Sequence, residues 1–275
     1  MDPGRIPFPA HPLQAVILDW AGTTVDFGSR APTKVFIEIF RQRGVKITAA
    51  EARGPMGRAK RDHIAAVAAV PRVSEAWTKK HGKPPVDADI QAMYDDFLPL
   101  QKETLSGDSD VIPGVAEAID ECRRMGLAIG STTGYTRELM EVVAPIAAAG
   151  GYAPDVLICS DDVSAGRPAP WMNLHAAERL GVFPLSSIVV VDDTPVGITA
   201  GLNAGCWTVA VSETGNALGL SAQEVAELDE QQRAGRLAEI GRGFLEIGAH
   251  FVIRGVRELP ELLRRINTLI TGAAA

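Results

Sequence analysis

Six short apolar runs punctuate the chain: Leu13 to Leu18, Leu127 to Gly130, Val156 to Cys159, Ile188 to Val191, Trp207 to Val211 and, more weakly, Phe251 to Ile253. Each is continuous rather than alternating, which predicts strands covered on both faces. Between them lie amphipathic stretches, Val115 to Met125, Arg137 to Ala149, Met172 to Leu180 and Val196 to Ala204, spaced as helices. Alternation of the two predicts an α/β fold with a parallel sheet.

One interval breaks the alternation, from about Phe27 to Leu105, where the pattern is helical throughout. Ala31 to Arg43 carries Val35, Phe36, Ile39 and Phe40 on one face, and Gly44 follows as a stop. Thr48-Ala49-Ala50-Glu51 has capping-box spacing, and Asp87 is placed to cap a long helix displaying Ile90, Met93, Tyr94, Phe97 and Leu98. The expected architecture is a doubly wound, Rossmann-like core from 1–26 and 106–275, with a helical cap domain, 27–105, inserted after the first strand. Ligands of such sheets bind beyond the carboxyl ends of the strands. That rule gathers Asp19, Ser131-Thr132-Thr133 and Asp192-Asp193 on one rim.

Bulk properties narrow the class. The chain has 275 residues, 46% of them hydrophobic, enough for a sizeable core. No apolar run reaches the roughly 18 residues of a membrane span, so no membrane partner is expected. Met1 to Pro12 is proline-rich and reads as a loose tail rather than a signal peptide. Cys122, Cys159 and Cys206 are scattered, which suits a reduced cytoplasm better than a disulfide framework or a zinc site. The net charge of −7 argues against nucleic acid. It is uneven: from Arg41 to Lys83 eleven Lys/Arg face three Asp/Glu. That surplus reads either as attraction for an anionic substrate or as solvated helix faces.

The rim carries the chemistry. A carboxylate at a strand end can accept a phosphoryl group and lose it to water, splitting one hard step into two. Magnesium would offset the charge between such a carboxylate and an anionic substrate, and it favours oxygen ligands. Asp19, the carbonyl of Ala21 and Asp193 are the candidate ligands. Thr133 is a candidate donor to a phosphate oxygen, and Arg167, in Gly166-Arg167-Pro168, a candidate cation for the same charge.

This set resembles the haloacid dehalogenase superfamily of phosphohydrolases. Asp19-Trp20-Ala21-Gly22-Thr23-Thr24 is similar to its first motif, Ser131-Thr132-Thr133 to its second, Arg167 to its third and Asp192-Asp193-Thr194 to its fourth. The departure is Ala21, where most phosphatases of the superfamily carry a second Asp that protonates the leaving oxygen. A leaving group that is carbon needs no such acid.

Carbon leaves phosphorus badly, as a carbanion. If the substrate carries an aldehyde beside the methylene, a lysine can condense with it, and the protonated imine becomes the electron sink. Such a lysine must be neutral part of the time, far from its reference pKa of about 10.4, and partial burial near Arg58 and Arg61 pushes that way. Lys60 is the candidate. A helix running on from Pro55 would place Met56, Lys60 and His63 on one face, with His63 as a proton shuttle. The plainer readings are a solvated Lys60, a partly buried His63 and a packing Met56.

The resemblance sharpens to the phosphonoacetaldehyde hydrolase family through Asp19 to Asp26, Pro55-Met56-Gly57, Lys60, Asp62-His63, Gly130 to Arg137, Gly166-Arg167-Pro168 and Pro170-Trp171-Met172. It implies magnesium, Asp19 as nucleophile, Lys60 as Schiff-base former, substrate contacts from Met56, Thr133, Gly134, Tyr135 and Arg167, a homodimer, and a role in degrading 2-aminoethylphosphonate. Two positions depart from the family pattern: Ser29 stands where a cysteine is familiar, and Gly197 where a further acid is frequent. The alternatives are a phosphatase or phosphomutase of the same superfamily, and a non-catalytic phosphate-binding module.

Overall fold

The computed structural model describes residues 11–105, 107 and 109–272; most of the expected N-terminal tail and the last three alanines lie outside them. Six parallel strands form one sheet in the order β3-β2-β1-β4-β5-β6. They are β1 (Ala15–Leu18), β2 (Ala128–Thr132), β3 (Val156–Ile158), β4 (Ile188–Asp192), β5 (Trp207–Val211) and β6 (Phe251–Ile253). All six coincide with the apolar runs, to within three residues at any end. The order reverses between β1 and β4, and a ligand crevice is expected at that reversal.

The strands are mainly apolar because neighbouring residues face different layers. In β1, Val16 and Leu18 join a cluster with Ile119, Val143 and Ile266, while Ala15 and Ile17 join one with Met172 and Ala176. The first layer is built by α6 (Val115–Arg124), α7 (Arg137–Ala149) and α12 (Leu259–Thr271); the second by α8 (Trp171–Leu180), α9 (Pro195–Asn203) and α11 (Glu230–Ile247). Each large side chain buried this way contributes about 1.5–3 kcal/mol. A short helix, α10 (Ala222–Glu227), precedes α11.

Between β1 and α6 run five helices: α1 (Arg30–Gln42), α2 (Ala49–Arg53), α3 (Lys60–Ala68), α4 (Pro71–His81) and α5 (Asp87–Leu105). They bury their apolar faces in a cluster of their own, with Phe36 and Phe40 of α1 against Ile64 of α3, Trp77 of α4 and Phe97 of α5. Gly44 follows α1 at φ 73°, and the Thr48–Glu51 capping box is formed. Asp87 is itself the first residue of α5; the carboxylate that accepts from the preceding Val86 N–H, at 2.9 Å, is that of Asp89.

Much of the basic surplus is ordinary helix chemistry. Arg41, Arg43, Arg61 and Arg72 pair with Glu38, Asp96, Asp87 and Glu51 at the surface. Lys79, Lys80 and His81 close α4, where the helix dipole favours cations.

Candidate active site

The chain leaves β1 through a tight turn that presents Asp19. The Asp19 N–H still bonds the Val191 carbonyl at 2.9 Å, extending the ladder by one residue, and the Trp20 carbonyl then accepts from the N–H groups of Thr23, Thr24 and Val25. Gly22 sits at φ 88°, and a Cβ there would lie 2.2 Å from Asp193 Oδ2. Only glycine permits this turn against the next strand's carboxylate. Thr23 Oγ1 donates to Asp193 Oδ1 at 3.3 Å, tying the two strand ends together.

Asp19, Asp192 and Asp193 converge, with one carboxylate oxygen from each lying within 4.8 Å of the others. All three are buried. Burial and the neighbouring charge of Asp19 push Asp192 up to about 7, although Arg167 pulls it down, and burial with both aspartates raises Asp193 well above the usual carboxylate range. A cation would relieve this repulsion, and an all-oxygen donor set fits a hard divalent ion.

Asp192 has a second task. Its Oδ1 accepts from the Thr194 N–H at 2.8 Å and from Thr194 Oγ1 at 2.7 Å. A Cβ at Gly197 would fall 1.9 to 2.2 Å from the Asp192 carboxyl atoms. The space that a side chain at position 197 would need is filled by the Asp192 carboxylate.

Arg167 bridges the acids: Nη1 lies 2.7 Å from Asp19 Oδ1 and 3.2 Å from Asp192 Oδ2. Burial works against its charge, but Asp19 and Asp192 outweigh that and raise its pKa. Nη2 is fixed by the carbonyl and hydroxyl of Thr132 at 2.9 and 2.7 Å. Thr133 Oγ1 accepts from the Tyr135 N–H at 3.1 Å, which leaves its own proton available to a ligand. Gly134 brings this loop against the turn before α3, since a Cβ there would be 2.8 Å from the Arg58 carbonyl oxygen.

Lys60 comes from the helical layer and is 4% exposed. Its Nζ lies 4.5 Å from the Tyr135 ring centroid and 5.7 Å from that of Phe36. Burial lowers its pKa from 10.5 to about 7, against the opposing pull of Asp19. Lys60 and Asp19 line one cavity with Ala21, Ser29, Met56, Thr133, Gly134, Tyr135, Arg167 and Thr194. Its free volume is about 20 Å³, room for about one water.

Eight of the ten expected site residues therefore line one cavity. Asp193 lies behind Gly22 and Gly215, within the acid cluster. His63 stays outside: its Nε2 is 2.7 Å from the Ala52 carbonyl oxygen and its ring stacks on Phe36 with centroids 3.6 Å apart. Burial, with the Lys60 charge next, lowers its pKa to about 3. The expected helical face shared by Met56, Lys60 and His63 is corrected for Met56 alone, since Lys60 and His63 lie together in α3. Gly57, at φ 89°, interrupts the backbone, α3 begins at Lys60, and Met56 reaches the cavity from the preceding turn.

Sequence reading missed Thr132 as the anchor of Arg167 and gave no role to Asn216, whose N–H donates to Asp193 Oδ2 at 2.6 Å. A signal existed: Ser212 to Asn216 is a polar cluster just past the apolar run of β5, the same strand-end pattern that singled out Asp19.

A family model described as haloacid dehalogenase-like hydrolase matches residues 13–205. The chain is 49% identical over 255 residues to a phosphonoacetaldehyde hydrolase of Paraburkholderia xenovorans (strain LB400), covering 93% of this chain and 96% of that one. It is 47% identical over 255 residues to a bifunctional phosphonoacetaldehyde hydrolase/aminoethylphosphonate transaminase of Clostridioides difficile (strain 630), covering 93% of this chain but 40% of that longer protein. Among solved structures, a phosphonoacetaldehyde hydrolase-like protein from Oleispira antarctica superposes with a TM-score of 0.94 at 38% identity, covering 98% of this chain and 99% of that one.

Proposed function

The chain belongs to the phosphonoacetaldehyde hydrolases within the haloacid dehalogenase-like hydrolases, and on that premise we propose that it cleaves the carbon–phosphorus bond of phosphonoacetaldehyde to acetaldehyde and phosphate. The observation that carries this reading is Lys60: a buried amine with a pKa near 7, lining the same small cavity as a strand-end carboxylate. An ester's oxygen leaves without an electron sink, so imine chemistry at this amine serves a carbon leaving group.

Neutral Lys60 adds to the aldehyde carbon and water leaves, giving an imine that takes up a proton. An Asp19 oxygen attacks phosphorus; the carbon–phosphorus electron pair moves into the iminium, which becomes an enamine. Water then cleaves the aspartyl-phosphate, releasing phosphate and Asp19. The enamine is protonated on carbon and hydrolysed to acetaldehyde, freeing Lys60. Arg167 and Thr133 bind the phosphonyl oxygens, so Arg167 gives up part of its hold on Asp19 when substrate enters. Tyr135, Gly134 and Met56 wall the pocket.

Asp19, the Ala21 carbonyl and Asp193 would hold a magnesium ion, with Asp192 close by. Its charge would neutralise the anionic oxygens and lower the repulsion between nucleophile and substrate. The present cavity is too small for substrate, so the five-helix layer, as a cap spanning 27–105, opens to admit it and closes to exclude water. His63 supports Lys60 from behind as a packed, neutral ring.

A place in 2-aminoethylphosphonate degradation is part of this reading, supported by the relative whose name joins the hydrolase to an aminoethylphosphonate transaminase. So is a homodimer, to be tested by light scattering. The direct test of the activity is phosphate and acetaldehyde release from phosphonoacetaldehyde in the presence of magnesium. Turnover of sugar phosphates that survives Lys60→Ala would favour a phosphatase instead.

A further inference from the structure

Most arginines of the helical layer pair with surface acids; Arg53, the last residue of α2, is bound differently. Its guanidinium donates to four oxygens, none of them a carboxylate: the Gly28 carbonyl at 2.8 Å, the Asn216 carbonyl and side-chain oxygen at 3.3 and 3.2 Å, and the Gly219 carbonyl at 3.0 Å. Three of these acceptors belong to the loop after β5. The loop is shaped to receive the group. Gly219 sits at φ 66°, and a Cβ there would meet Arg53 Cζ at 2.6 Å.

The same loop holds a metal-cluster carboxylate. The buried Asn216 donates its N–H to Asp193 Oδ2 at 2.6 Å and its side-chain N–H to the Arg53 carbonyl at 3.2 Å. Gly215 packs its backbone on Asp193, where a Cβ would lie 2.6 Å from the Asp193 Cβ. Arg53, Asn216 and Asp193 thus form one run of direct contacts from the helical layer to the acid cluster.

We propose that Arg53 is a positioning residue: a clasp that seats the helical layer on the sheet and, through Asn216, sets the Asp193 carboxylate as the layer closes over Lys60. Neutral, converging acceptors suit the planar fork of a guanidinium and not the point charge of an ammonium. The three bonds to the loop after β5 break together when the layer lifts, so they favour the closed arrangement alone. The Asn216 amide leaves Asp193 only if the loop shifts, which makes its protection a direct report on the clasp. The inference deepens the hydrolase reading, since it assigns a residue that assembles the same site.

The test is amide hydrogen exchange on the full-length protein, read at Asn216, along α3 and along β4, together with steady-state kinetics, for wild type, Arg53→Ala and Arg53→Lys. In Arg53→Ala, exchange at Asn216 and in α3 is expected to quicken by at least about tenfold while β4 is unchanged, and KM for phosphonoacetaldehyde to rise by a similar factor. Arg53→Lys is expected to restore neither. Exchange at Asn216 and α3 equal to wild type in Arg53→Ala, or full recovery in Arg53→Lys, overturns the proposal. If β4 also loses protection in the alanine variant, the lysine variant alone decides. The exchange measurement needs no substrate, so quickened exchange in a protein inactive on phosphonoacetaldehyde would keep the clasp and discard the substrate assignment.

Discussion

The Lys60 nitrogen lies 4.5 Å from the centroid of the Tyr135 ring, so an amine from the helical layer rests on an aromatic from the loop that follows β2. Two opposing effects meet there. Burial strips water from the ammonium and favours the neutral amine, while the ring face and Asp19 favour the cation. The balance falls near 7, where a lysine is a nucleophile at ordinary pH.

The rate of the imine step is therefore expected to rise with pH through about 7, as Lys60 loses its proton. In Tyr135→Leu the cation loses the ring, so the rising limb moves to lower pH, by about 1.5 units for a desolvated contact of about 2 kcal/mol. Profiles of kcat/KM against pH for the two proteins check this. A limb that starts near 10 in the wild type would contradict it.

Lys60 also sets a pH dependence of stability. Its folded pKa, about 7, lies below the unfolded value of 10.5, so between those limits the unfolded chain binds more protons and stability rises with pH. Below about 7 the full cost of burying the charge is present. Lys60→Met removes it and is expected to stabilise the protein at pH 7 by a few kcal/mol, on the order of 4 from the whole shift. The gain should shrink toward zero as pH approaches 10.5. Urea unfolding at several pH values measures it.

The sheet was legible in the sequence because its central strands are buried on both faces, which leaves continuous apolar runs that a turn or surface helix does not imitate. The acid cluster was legible for a related reason, since polar residues directly after such a run have one place to be. The path of the chain at Met56 was not legible, because helical spacing across 56–63 says nothing of the φ 89° at Gly57 that breaks it; nor does spacing show that the His63 ring turns to Phe36 and the Ala52 carbonyl. Arg53 was invisible. Three of its four acceptors are backbone carbonyls, two of them in a loop more than 160 residues away, and carbonyls carry no sequence signature.

His63 separates packing from proton transfer. Its ring stacks on Phe36 and bonds the Ala52 carbonyl, so His63→Ala is expected to cost about 2–4 kcal/mol of stability through lost packing and an unpaired carbonyl. The pH of the rising limb should stay where Lys60 puts it. Calorimetry and the pH profile of the variant report the two effects separately, and loss of the limb with unchanged stability would make His63 a proton carrier.

Gly197 makes a steric prediction. A Cβ there falls 1.9 Å from Asp192 Oδ2, so Gly197→Ala must push the carboxylate off Thr194 and Arg167. Losing those hydrogen bonds and part of that pair is expected to cost about 1–3 kcal/mol and to raise the magnesium concentration needed for half-maximal activity. A crystal structure of the variant with Asp192 unmoved would contradict the account.

The meeting of Lys60 with Asp19 around one substrate is tested most directly by borohydride reduction in the presence of phosphonoacetaldehyde, with peptide mapping of the wild type and Asp19→Ala. A reduced adduct on Lys60 is expected in both proteins, with phosphate release abolished only in Asp19→Ala, because the imine forms without the nucleophile. A wild-type enzyme that releases phosphate while no adduct appears at Lys60 would contradict the mechanism.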